Sequence, residues 1–256
     1  MTNDNSARAQ RALRALRAID QRGMGRVAGG MGADATDRLA DLDSCTMAYR
    51  TWCPALIPGL LQTDAYTAGA IKSRTPCLGS GEIERRVTHR RRRTESFLGH
   101  RAGLRGTYAW FLIGEDAITR PLINAHAHGE QLRHLLACTR DYDGLIVQVL
   151  RNDTPIGAIE PFTIFHLDPG PSVGHLESLI GGWYTVVSDD IARLHSAFSD
   201  ILGWAMTPTD SYNYISEVVD TCWGNTSERS PEPDSSSPPT PTRRTASTSP
   251  GPTPAP

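Results

Sequence analysis

Acidic side chains follow two apolar runs of this sequence, in positions where a carboxylate could move protons. Glu115 and Asp116 come directly after an aromatic and β-branched run, and such a pair could act as general acid and base. A simpler interpretation is that both acids open a short helix, whose N-terminus negative charge stabilises. Glu177 ends a second apolar run. A buried carboxylate there would need a partner, which nearby arginines could supply.

A group of histidines and a glutamate around residues 126–134 could suggest a metal site. His126 and His128 are not one helical turn apart, and with Glu130 and His134 they form no His-Glu-x-x-His pattern. We expect solvated or hydrogen-bonded histidines and no metal. The sequence contains no nucleophile elbow, phosphate-binding glycine loop or dinucleotide fingerprint, so no cofactor is expected. The five cysteines are odd in number with no Cys-x-x-Cys pair, which predicts free thiols.

Arginines concentrate at Arg90–Arg93, the densest basic run of the chain. Four consecutive residues surround a helix rather than line one side of it, so solvated charge is the simplest interpretation. The alternative is contact with phosphates. Arg90 and Arg93 are candidate partner-binding residues. Gln62 is a third, as the one polar side chain of the segment Pro58–Thr63 that could contact a ligand or partner.

A pocket for a small molecule mixes apolar walls with a few polar groups. Aromatic and acidic residues of the strand-rich region could form one. The candidate pocket residues are Trp110, Glu115, Glu177, Trp183 and Tyr184.

The composition of the chain argues against several classes of protein. The 256 residues carry a formal net charge of −2, which argues against a polycation that binds nucleic acid in bulk. No run approaches the length of a membrane span, and the polar N-terminus has no apolar core typical of a signal peptide. A cytoplasmic protein without membrane contact is expected.

Three segments are expected along the chain. Residues 1–35 combine an Arg-rich amphipathic helix at 7–22 with glycines that break helical order. Residues 36–224 have ordinary globular composition. Residues 225–256 consist mainly of Pro, Ser and Thr, and this composition predicts a disordered tail.

Hydrophobic periodicity predicts the elements of the central segment. Helices are expected at 36–50, from Thr63 onward, and at 82–98, 115–122, 131–138, 187–204 and 208–222. Strands are expected at 107–113, 145–150, 162–167, 173–176 and 182–186. The clustering of strands with short turns predicts an α+β fold, in which helices flank a small, mainly antiparallel sheet.

The segment Pro58–Thr63 is expected to be structural. Pro58 and Gly59 shape the backbone, Leu60 and Leu61 point into the core, and Thr63 caps the next helix. Such a segment would dock the N-terminal part of the chain on the sheet domain.

Seven sequence blocks, in order over residues 38–222, resemble a family of actinobacterial regulators. The family comprises Xre-type helix-turn-helix transcriptional regulators described as antitoxin-like, and the similarity is to their conserved C-terminal domain. The blocks are Ile57–Thr63 with Tyr66; Val87-x-x-Arg90-x-x-Arg93; Ile113–Ile118 with Arg120; Gln131-Leu132-x-x-Leu135; Val147–Leu150; Gly157, Phe162–Ile164 and Leu176-Glu177; and Ala205–Pro208 with Ser211.

The resemblance implies an effector domain that acts in transcription control by binding a protein or a ligand. It also implies a small toxin-like or regulatory protein partner, and a homodimer is left open. Residues 1–35 provide no evident helix-turn-helix, so direct DNA binding by the usual route is not expected. The alternative is an enzyme or small-molecule-binding protein that evolved on the same scaffold after loss of the DNA reader.

Overall fold

A six-stranded mixed sheet organises the chain. The structure is a computed structural model that describes residues 6–7, 10, 13–14, 33–101, 107–157, 159–167, 170–178 and 181–223. Most of the helix predicted at 7–22, the glycines at 23–32 and the tail predicted at 225–256 lie outside these residues. Among the described helices, none has the length and apolar character needed to cross a membrane.

Helices and strands alternate in the first half of the described chain. The helices are α1 (Ala33–Cys45), α2 (Asp64–Arg74), α3 (Ser80–Arg101), α4 (Asp116–Thr119), α5 (Ala125–Asp141), α6 (Ser188–Trp204) and α7 (Pro208–Val218). The strands are β1 (Thr46–Cys53), β2 (Tyr108–Gly114), β3 (Leu145–Leu150), β4 (Phe162–Leu167), β5 (Ser172–Ser178) and β6 (Gly181–Thr185). A 3-10 helix spans Gly59–Leu61 and a π-helical turn spans Val219–Trp223.

The α+β class is confirmed, whereas the mainly antiparallel sheet is wrong. The strand order is β3-β2-β1-β4-β5-β6. β1 pairs in parallel with β2, and β2 in parallel with β3, whereas β4, β5 and β6 add antiparallel neighbours. Parallel neighbours need a crossover, and helices α2 and α3 supply the one between β1 and β2.

The first five residues of the central strand β1 fall within the helix predicted over 36–50. In the structure that helix ends at Cys45 and the chain extends through Cys53. The sequence Thr-Met-Ala-Tyr-Arg-Thr-Trp-Cys is rich in the β-branched and aromatic residues that strands favour. Neighbouring strands on both sides of β1 then hold it in the centre of the sheet.

Two apolar clusters lie on opposite faces of the sheet. Tyr49, Phe111 and Phe165 define what we call the multi-helix face, where they pack with residues of α1, α2, α3, α5 and α7. Trp52 and Ile164 define the α6 face, where they pack against Phe198 and its neighbours. Successive residues of a strand therefore point to different layers.

Leu60 and Leu61 of the Pro58–Thr63 segment point into the core, as predicted. Leu60 and Leu61 are 1% and 0% exposed. Gln131 of α5 fixes the segment: its Nε2 donates to the Leu61 carbonyl at 2.7 Å, and its Oε1 accepts from the Thr63 N–H at 2.7 Å. The segment is thus docked on α5, a contact that sequence reasoning missed.

The side chain of Thr63 caps α2 by accepting a hydrogen bond from the Tyr66 N–H at 3.3 Å. Thr63→Ala is expected to lower the free energy of unfolding by about 1 kcal/mol, because that N–H loses its partner. Urea denaturation measures the change. Thr119→Ala, at an exposed position, is the control, and its effect should stay within about 0.5 kcal/mol. Equal effects of both variants would contradict the capping role.

Candidate functional site

Three arginines gather beneath α3, against the multi-helix face. We call this group the arginine cluster: Arg74, Arg90 and Arg93 with Gln62, His175 and Glu177. Arg93 is 10% exposed at its side chain and forms an ion pair with Asp43 of α1, which is 2% exposed. Burial alone would lower the pKa of Arg93, but the charge and hydrogen bond of Asp43 outweigh it and raise the pKa. This pair ties α3 to α1.

Arg90 lies one turn before Arg93 on the same helix and is half-buried. Its Nη1 donates to the Gln62 Oε1 at 2.6 Å. In the described part of the chain, Arg90 forms no ion pair. Burial lowers its pKa to about 10, the charge of Arg93 adds to that effect, and the charge of Glu177 opposes it. Its guanidinium is therefore a desolvated cation with a neutral partner.

Gln62 has its side chain turned inward. Its Nε2 donates to the Ile57 carbonyl at 2.6 Å, and its Oε1 also accepts from the Thr67 hydroxyl at 3.2 Å. A Cβ added to Gly59 would stand 3.4 Å from the Arg90 Nη1, which is an ordinary contact distance, so the guanidinium lies against the backbone of this segment. The segment that docks on α5 thus also orients Arg90.

Glu177 on β5 forms the more open side of the cluster. Its carboxylate accepts from the Arg74 Nη1 at 2.9 Å, and the two side chains are 52% and 32% exposed. The predicted arginine partner is therefore present, but the predicted burial of Glu177 is wrong. β5 lies next to the edge strand β6, which leaves this carboxylate open to solvent.

His175 shares its face of β5 with Glu177. Its ring lies 4.5 Å from that of Tyr184, and a Cβ on Gly182 would come within 2.5 Å of its Nε2. Burial lowers the pKa of His175 to about 4, so the imidazole is neutral at neutral pH. Among the described residues of the arginine cluster, the guanidinium groups of Arg74, Arg90 and Arg93 are thus accompanied by the carboxylates of Asp43 and Glu177.

The thiol of Cys53, at the end of β1, interacts electrostatically with Glu177 and Arg90. Burial raises its pKa to about 12, while a hydrogen bond with Thr51 opposes that rise. A thiol of this pKa is not ionised at neutral pH and is a poor nucleophile. The cluster is therefore better suited to binding an anion than to covalent chemistry.

The five candidate pocket residues do not form one pocket. Tyr184 and Glu177 lie at the arginine cluster, but Trp183, the neighbour of Tyr184 in β6, pairs with Leu176 on the α6 face. Trp110 also faces α6, with its Nε1 donating to the Gln148 Oε1 at 2.7 Å. Period-two alternation of strand side chains separates these residues.

Glu115 lies at the end of β2 and is occupied by structural contacts. Its Oε1 accepts from the Tyr214 hydroxyl at 2.5 Å, and its Oε2 accepts from the Asn152 N–H at 2.8 Å. These bonds join β2, α7 and the loop after β3. Asp116 begins α4, in agreement with the simpler helix-opening interpretation.

Of the histidines at 126, 128 and 134, His128 is buried and its Nε2 lies 2.9 Å from the Ile118 carbonyl. This matches the expected hydrogen-bonded histidine. In the part of the chain that the structure describes, no three His, Cys, Asp or Glu residues are grouped so as to hold a metal ion.

Sequence reasoning missed Asp43, Arg74 and His175. The signal for His175 was present, because alternation along Val173–Glu177 places His175 and Glu177 on the same side of a strand. Asp43 and Arg74 had no comparable signal, since each meets its partner across at least 50 residues.

No curated protein and no solved structure matches the chain. A family model described as a domain of unknown function (DUF5753) matches residues 36–217. The match covers the arginine cluster and all six strands. The chain therefore belongs to the DUF5753 family.

Proposed function

We propose that this chain is the effector domain of an antitoxin-like transcriptional regulator and binds an anionic ligand at the arginine cluster. The regulator assignment is supported by the seven sequence blocks that resemble Xre-type proteins. Gln62, Arg90 and Arg93 belong to two of those blocks and meet at this cluster. The observation that carries the proposal is Arg90, a half-buried cation that donates to the neutral amide oxygen of Gln62.

A desolvated cation is costly unless an anion compensates it. The guanidinium of Arg90 has five N–H donors, and one of them is used by Gln62. A carboxylate or phosphate group could accept two parallel hydrogen bonds from the remaining donors. Glu177 and Arg74 on the open side would then contact the rest of the ligand.

The cluster favours a binding protein over the enzyme alternative. His175 with a pKa of about 4 is a weak base at neutral pH, and the Cys53 thiol stays protonated. Efficient proton transfer requires a group whose pKa lies near the working pH. Neither side chain meets this requirement.

Arg90→Gln is expected to weaken stabilisation of the folded chain by inorganic phosphate, because the arginine cluster then loses the donors of the Arg90 guanidinium. A ligand that binds only the folded state adds about 2.7 kcal/mol at 100 times its dissociation constant. The measurement is the melting temperature in phosphate against chloride at equal ionic strength. Arg91→Gln is the matched control, because Arg91 is the next residue of α3 and its side chain is 52% exposed. An unchanged phosphate effect in Arg90→Gln would refute the site.

A small acidic partner protein is the second candidate, and the outer side of α3 favours it. Arg85, Arg91 and Arg92 are exposed there, whereas Arg93 is too buried to meet a protein surface. In a pull-down from source cells, Arg85→Glu combined with Arg92→Glu should lose a stoichiometric partner that Arg90→Gln retains. Recovery of no stoichiometric partner by the unmodified chain would contradict this role.

A further inference from the structure

We infer that Arg50, Tyr108 and His195 form a second oxyanion-binding site, on the α6 face of the sheet, for a carboxylate or phosphate group. We call it the Arg50 site. It is separated from the arginine cluster by the sheet, since Arg50 and Thr51 point to opposite faces of β1. The inference goes beyond the proposed function and does not depend on it.

Three elements converge at the Arg50 site. Arg50 lies in β1 opposite Trp110 of the parallel neighbour β2, and Tyr108 precedes Trp110 by two residues on the same face. The Arg50 Nη2 donates to the Tyr108 hydroxyl at 2.6 Å, and its Nη1 lies 3.0 Å from the His195 Nδ1 of α6. All three side chains are half-buried, so solvent reaches the group.

The hydrogen bonds of Arg50 fix where the remaining protons lie. A guanidinium can only donate, so the Nδ1 of His195 must accept and the ring proton must be on Nε2. The Tyr108 oxygen also accepts from Arg50, which leaves its own hydrogen free to donate. The hydrogens that these two bonds leave available for donation are the unused N–H groups of Arg50, the Tyr108 O–H and the His195 Nε2–H.

The hydrogen-bond and ring contacts of Arg50 are with hydroxyl, imidazole and aromatic groups. Among the described residues no carboxylate pairs with Arg50, and its other contacts are the rings of Tyr108 and Phe198, 5.5 and 6.0 Å from its Cζ. Burial lowers the pKa of His195, and electrostatic interaction with Arg50 and with His166 of β4 lowers it further. A positive, donor-only group of this kind is complementary to an oxyanion.

The test uses the full chain with Arg90→Gln as the parent, so that binding at the arginine cluster does not contribute. Calorimetric titration with inorganic phosphate and, separately, with acetate measures binding. Tyr108→Phe removes one hydroxyl, and we expect at least tenfold weaker binding of the anion that the parent prefers. Arg50→Gln should abolish it. Arg193→Gln, at an exposed position of α6, is the matched control and should bind like the parent.

The two anions distinguish a phosphate site from a carboxylate site, and binding of either that depends on Arg50 and Tyr108 supports the inference. Parent protein that binds neither anion would overturn it, as would Tyr108→Phe or Arg50→Gln binding like the parent. If Arg50→Gln fails to fold, Tyr108→Phe with an unchanged circular dichroism spectrum decides the result. A weaker phosphate effect in Arg90→Gln than in the unmodified chain reports on the arginine cluster. Anion binding that remains in Arg90→Gln and depends on Arg50 reports on the Arg50 site, so the two proposals fail separately.

Discussion

Arg93→Ala is expected to lower the free energy of unfolding by about 3–5 kcal/mol, because it leaves the Asp43 carboxylate buried without its cation. Asp43 is 2% exposed and close enough to Tyr49 to raise the pKa of that phenol, so the carboxylate gains little solvation to offset the loss of the guanidinium. Urea denaturation followed by circular dichroism measures the loss.

The control for Arg93→Ala is Arg92→Ala, one residue earlier and exposed, whose effect should stay within about 0.5 kcal/mol. Replacing both Asp43 and Arg93 by apolar residues of similar size should restore much of the lost stability, since no charge is then left unpaired. A small effect of Arg93→Ala would mean that the ion pair is open to solvent, against the structure.

Leu61→Ala is expected to cost about 2–5 kcal/mol, since the side chain is 0% exposed and its removal leaves a cavity between the docking segment and α5. Equilibrium denaturation measures this cost. Val187→Ala at an exposed position is the control and should cost less than about 0.5 kcal/mol. Full stability of Leu61→Ala would instead mean that the segment is an exposed hydrophobic recognition motif.

Much of the fold follows from sequence patterns that are local. The runs around 107–113, 145–150 and 162–167 are apolar and β-branched, and each forms a strand. The failure at β1 has a physical reason: Leu39, Leu42 and Met47 continue a helical spacing across the true boundary, and no glycine or proline interrupts it. Without β1, the parallel half of the sheet could not be inferred.

The candidate site was predictable only in part. Gln62 and Arg90 were both proposed as binding residues, but their hydrogen bond joins positions 28 residues apart, and no local pattern reports such a contact. Neighbours such as Trp183 and Tyr184 were grouped together although a strand turns them to opposite faces. Long-range pairing decides which polar side chains share a site.

The central place of β1 has a consequence for synthesis on the ribosome. Thr51 on β1 hydrogen-bonds Thr163 on β4 across 112 residues, and β2 is also separated from β1 by two helices. The nascent chain therefore carries an apolar strand with unpaired edges until most of the sheet has been translated. Because such exposed edges favour aggregation, we expect chaperones to engage this protein early, and truncations that end before β4 to be insoluble.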